Sequence, residues 1–241
     1  MPPVTQGLLI ANVLIFFVGE QLGPNIIGLF ALWPWDTGLF RPWQLVTYAF
    51  LHGGLTHLAF NMFGLWMFGS ELERVWGARR MVNFYLVSVL VAALAQLLVT
   101  GLLGAQAPTV GASGGLFGLL IGFAMVFPRR KITPLIPPIP MPAPVFVALY
   151  GAVELTLGVT GSASGVAHFA HLGGLLGGWL MMRYWRGQPP FGGWGHCTRQ
   201  PRWRHVGPPG EKHEHTQGCD RDRFGHRRRR GDRIDAGRAR I

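Results

Sequence analysis

Apolar positions along this chain gather into long runs, at about 6–22, 55–70, 81–103, 113–127, 143–160 and 165–182. A hydrocarbon core about 30 Å thick takes roughly 20 apolar residues of helix to cross, so the pattern predicts six spans. The first two are the weakest, carrying Asn12 and Glu20, then His57 and Asn61. None of the runs alternates in the manner of a barrel strand, and a chain in lipid must satisfy its own backbone groups. The fold class expected is therefore an all-α membrane bundle of six helices. The opening "MPPVTQ" has no basic stretch ahead of the first run, so that run is expected to stay as a helix rather than leave as a signal peptide.

Charge then orients the bundle. "ELERVWGARR" after the second run, "PRRK" after the fourth, and Arg183 and Arg186 after the sixth are basic, whereas "LLGAQAPTVGA" and "GVTGSASG" carry no charge. By the positive-inside rule the basic loops, and with them both termini, are expected on the cytoplasmic side. The long connection 23–54 then faces outward, with Trp33, Trp35 and Trp43 suited to the interface. Past residue 187 the composition changes to Gly, Pro, His and Arg, and this stretch holds most of the net charge of +11 and both cysteines, Cys197 and Cys219. It has too little apolar surface to offset its ordering entropy. Two parts are expected: a transmembrane domain, 1–187, and a basic, disordered cytoplasmic tail, 188–241, able to contact anionic lipid through "HRRRR". The tail's Cys and His spacing fits no zinc pattern.

Polar side chains inside apolar spans are costly and tend to mark function. The second run offers His57 and Asn61, four apart and so on one face, with His52 just before them. The fourth opens on Ser113, and the sixth carries His168 and His171. Counting up from the basic end of each run places Ser113 about 24 Å above Arg129, His171 about 18 Å above Arg183 and Asn61 about 20 Å above Arg74. All three fall in the outer half of the bilayer. A lone membrane serine is usually a packing residue, but three polar groups at one depth on three helices suggest a site.

Glycines supply the means of bringing these groups together. Gly114, Gly118 and Gly122 share one face of the fourth run, as Gly174 and Gly178 do on the sixth, and such faces let backbones approach closely. A serine hydroxyl needs a base to become a nucleophile, which points to Ser113 with His171. The amide of Ser113 at a helix start, with the side chains of Asn61 and His57, is expected to bind the oxyanion. Glu154 counts as several turns below the outer end of the fifth run. No acid is expected at this level, and the machinery expected is a Ser-His dyad rather than a triad.

"GASG" opening a span, "HLGGLLGG" in a later one and "HGGLTHLAFNMFG" upstream resemble the rhomboid intramembrane serine proteases, over about residues 5 to 186. The resemblance implies a six-helix rhomboid-like bundle with Ser113 as nucleophile and His171 as general base. Asn61, His57 and the Ser113 amide resemble the oxyanion-binding set, and His52 matches a histidine at the edge of the second span. Phe117 stands where the family often has an aromatic packed on the catalytic imidazole. Gly111, Gly114, Gly174 and Gly178 belong to the matching motifs, and His168 reads as a neighbour of His171. Where the family frequently has Trp-Arg, this chain has Trp43-Gln44, so a salt bridge in the first loop is not expected.

The function implied is cleavage of transmembrane segments near the outer face, in a multi-pass protein of a prokaryotic plasma membrane. Its partners would be membrane-protein substrates and the bilayer, with no nucleic acid at the core and no metal or cofactor. Two other classes compete. A catalytically inactive rhomboid-like protein would bind or dislocate membrane clients, but such members usually lack the serine or the histidine, and both are present. A metal transporter would use His52, His57, His168 and His171, but no membrane carboxylate is expected beside them.

Overall fold

In the computed structural model, residues 1–187 are described except 24, 105, 135–136 and 161–166. The expected tail, 188–241, lies outside the described residues, as does the expected start of the sixth span at 165.

The chain opens on α1, Pro3–Leu22, with proline at its first position and Gly23 at φ 73° ending it. Its first turn is held by a distant carboxylate. Glu73 accepts from the amides of Val4 and Thr5 at 2.8 and 2.7 Å and from the Thr5 hydroxyl at 2.7 Å. Negative charge on unpaired amides at a helix start is favourable, so this contact ties α1 to the middle of the chain. The short α2, Asn25–Phe30, and α3, Gln44–Thr47, lie within the long first connection.

Gln44 is fully buried and organises that connection. Its Oε1 accepts from the amides of Trp33 and Arg41, and its Nε2 donates to the carbonyls of Leu29 and Leu39. A neutral amide with donor and acceptor ends can close a loop from both sides, which an arginine could not.

Next come α4, Leu55–Gly64, and α5, Ser70–Trp76, joined by a π turn over Leu65–Gly69. Then follow α6, Ala78–Leu103; α7, Ser113–Val126; α8, Ala143–Thr160; and α9, His168–Trp185. A two-stranded hairpin pairs Lys131–Ile132 with Met141–Pro142 between α7 and α8. Among the described residues three helices, α1, α6 and α8, are long and apolar enough to cross a membrane, and α7 is a shorter apolar helix. They leave large apolar side chains uncovered, such as Leu14, Phe17 and Val18 on α1 and Leu94, Leu98 and Leu102 on α6.

The centre is α6, α7 and α9 packed backbone to backbone. A Cβ on Gly174 would overlap the carbonyl oxygen of Gly114, and one on Gly178 would lie 2.7 Å from that of Gly118. Gly173 faces Ala92 and Ala95 of α6, Gly177 faces Val91, and a Cβ on Gly118 would overlap the side chain of Ser88. Lipid tails are as apolar as the helices, so close packing at small residues must supply much of the association. Towards the basic end aromatic rings pack together: the Trp76 ring lies 4.7 Å from Phe84 and 5.2 Å from Trp185.

Candidate active site

Ser113 is the first residue of α7, and the loop ahead of it is fixed by three backbone bonds. Leu32 and Thr109 exchange amide–carbonyl bonds at 3.0 and 2.9 Å, and the Gly111 amide donates to the Tyr48 carbonyl at 3.0 Å. The first connection therefore holds the residues just before the serine. Gly111 has φ 132°, a conformation glycine favours, and a Cβ there would stand 2.9 Å from Cε1 and Nε2 of the His57 ring. That same position is 3.5 Å from Ser113 Oγ. The bare backbone of Gly111 thus leaves a small space bounded by the imidazole of His57 and the serine hydroxyl.

His171 lies one turn into α9, opposite Ser113, because Gly174 and Gly114 bring the two helices into contact. Its Nε2 is 2.8 Å from Ser113 Oγ. Its ring stacks on Phe117, one turn further along α7, with centroids 4.3 Å apart and planes 3° from parallel. The Ala170 amide donates to Oε1 of Gln96 on α6 at 3.1 Å, which anchors the first turn of α9 beside its histidines.

Asn61 and His57 sit on one face of α4, as their spacing implies. Asn61 is buried and donates through Nδ2 to the His57 carbonyl at 2.9 Å, one of the two hydrogens its amide carries. Its Oδ1 is buried with no hydrogen-bond partner among the described residues. The Gly53 amide meets His57 Nδ1 at 3.4 Å. A neutral His57 that accepts there carries its hydrogen on Nε2, the atom on the Gly111 side. His52 is buried against His57, ring edge to face at 5.1 Å, and does not reach Ser113 or His171 by any hydrogen bond among the described residues.

One group overturns an expectation. Glu154 of α8 does lie at the level of His171: its Oε2 is 2.8 Å from His171 Nδ1 and 2.6 Å from His168 Nδ1, with all three side chains buried. Measured along α8 from its first residue, Ala143, Glu154 stands about 16.5 Å up the helix, against about 18 Å for His171 above Arg183. A face signal was also present. Gly151, Glu154 and Gly158 fall at i, i+3 and i+7; a Cβ on Gly158 would lie 3.1 Å from His168 Cβ, and one on Gly151 3.3 Å from Leu175.

The same finding removes one ground for setting aside a metal site, because a carboxylate does stand beside His168 and His171, their ligand atoms within 4.8 Å of one another. At 2.6 and 2.8 Å the two contacts of Glu154 are hydrogen-bond distances.

These features define a membrane protein with a serine and a histidine held at hydrogen-bond distance among apolar helices. Residues 40–187 match the Rhomboid domain family model, and the chain belongs to the rhomboid family. It is 28% identical over 190 residues to the rhomboid protease GluP of Bacillus subtilis (strain 168), an alignment covering 74% of this chain. It spans about a third of that relative's length, 34%. The family and the apolar helices make it a multi-pass integral membrane protein.

Proposed function

We propose that this chain is an intramembrane serine endopeptidase that cleaves transmembrane segments of membrane proteins near the outer face of the bilayer. The observation that carries the reading is the 2.8 Å contact of His171 Nε2 with Ser113 Oγ, on an imidazole stacked against Phe117. In the proposed reaction His171 takes the hydroxyl proton as Oγ attacks the scissile carbonyl, and later gives it to the leaving amine. The Ser113 amide, unpaired within its helix as a first-turn residue, the spare Asn61 hydrogen and His57 Nε2 then receive the oxyanion.

Six spans are proposed, formed by α1, the continuous α4–α5 unit, α6, α7, α8 and α9. Arg79 and Arg80 at the start of α6, Arg129 and Arg130 after α7, and Arg183 near the end of α9 mark the cytoplasmic side, with both termini on it, and the site opens at the other. A prokaryotic plasma membrane is the location in keeping with the bacterial relative. Residues 1–187 form the catalytic domain in this reading, and 188–241 a basic cytoplasmic tail.

The test is cleavage of a single-span model substrate in liposomes by wild type and Ser113→Ala. Cutting by the wild type alone supports the reading; equal signal from both proteins, or none from either, overturns it. Chelator should leave the wild-type rate unchanged.

A further inference from the structure

The position of Glu154 goes further than a serine and a histidine. One carboxylate oxygen, Oε2, meets both His171 Nδ1 and His168 Nδ1. An ionised carboxylate only accepts, so each contact requires hydrogen on Nδ1. His171 is then held as the tautomer whose bare Nε2 faces Ser113 Oγ, ready to take a proton. His168 fits the same assignment. Its Nε2 is buried without a hydrogen-bond partner among the described residues. A bare acceptor there costs less than an orphaned N–H, so His168 serves as a neutral donor that fixes the carboxylate.

We propose that Glu154 is a positioning residue for this active site, making it a Ser113–His171–Glu154 triad with His168 as the second donor that locks the acid in place. The proposal rests on the serine-protease reading. When the Ser113 proton moves to His171 Nε2 and the Oγ–carbon bond forms, the substrate carbonyl becomes the oxyanion and the imidazole becomes a cation. Glu154 takes no proton; its charge lies 2.8 Å from Nδ1 of that cation, and both side chains are buried. The carboxylate does not reach Ser113 or the substrate, and acts only through the ring it holds.

The test compares wild type, Ser113→Ala, Glu154→Gln and Glu154→Asp in liposomes, with kcat and KM measured separately and Tm as a check of folding. Glu154→Gln keeps the shape but can turn an N–H towards Nδ1. It is expected to lower kcat on the order of 10²–10⁴-fold with KM within about threefold. Glu154→Asp should recover a part of that loss. A serine-directed fluorophosphonate should label Ser113 in Glu154→Gln more slowly by a similar factor.

The wild type supplies a readout that needs no variant. In protein carrying 15N-labelled histidine, the His171 Nδ1 proton should be strongly deshielded by its carboxylate partner. Ser113-dependent cleavage with kcat unchanged in Glu154→Gln overturns the triad and leaves the protease standing. So does a hydrogen on Nε2 of resting His171, even if the Glu154 variants fail to fold. No Ser113-dependent cleavage by the wild type overturns the protease reading itself.

Discussion

Gly174 of α9 packs so closely on Gly114 of α7 that a Cβ would overlap the carbonyl oxygen. Backbone cannot swing aside as a side-chain tip can, so Gly174→Ala must push the helices apart. Because Gly174 follows His171 by one turn and Gly114 follows Ser113 directly, separation at that contact is separation at the site. Gly174→Ala is expected to cost at least about 1–3 kcal/mol, the range for overpacking. Its Tm in detergent should fall and substrate cleavage should be lost. Wild-type stability and turnover in this variant would mean that the helices are not held by this contact.

The packing shows which parts of the fold could be read from the chain. Ser113, His171, Asn61 and His57 were legible because each is a polar residue in an apolar run, and the glycine spacing gave the helices of Ser113 and His171 a reason to meet. Glu154 carries the same signal, but its depth reads differently from the two ends of its span, and only the structure sets it beside His171. Gln44 was visible only as a departure from a family pattern. Its four bonds reach carbonyls and amides of a loop without periodicity, so no spacing rule could have located them. The Glu73 contact with Thr5 joins residues 68 apart, and helix-start chemistry identifies an amide's need without naming the distant acid that meets it.

Gly111 permits a prediction independent of helix packing. At φ 132° an alanine is strained, and its Cβ would stand 2.9 Å from the His57 ring. The imidazole has to move from beside Ser113. Gly111→Ala should therefore lower kcat by at least about tenfold, on the order of one weakened oxyanion donor. Its helical circular dichroism should be retained. Full activity would show that neither the Gly111 conformation nor the His57 position matters to turnover.

Substrate choice follows from the backbone of the substrate. A helical peptide shields its carbonyls in its own hydrogen bonds, so a segment must unwind before Oγ can reach one. Glycine or proline in a helix interior costs about 1 or 3 kcal/mol relative to alanine. Model substrates bearing such residues near the outer end of the span should be cut faster than those with an unbroken helix. Moving the same residues to the cytoplasmic end should abolish the gain. Equal rates for the two placements would remove both the unwinding requirement and the outward-facing site.

The sharpest prediction concerns non-additivity at the Ser113–His171 contact. A base is useful only if the nucleophile it serves is present, and the serine is weak without its base. Ser113→Ala and His171→Ala should each remove nearly all turnover, and the double variant should be no worse than either. Asn61→Ala removes one of several oxyanion donors and should cost at most about 10²–10³ in rate. His168→Ala takes one bond from Glu154 but leaves His171 Nδ1 on the same oxygen, so substantial activity should remain. A serine-directed fluorophosphonate should label wild type and His168→Ala, and fail on His171→Ala. If His171→Ala still labels and turns over while His168→Ala is dead, the 2.8 Å contact with Ser113 Oγ is not the catalytic one, and His168 is the base.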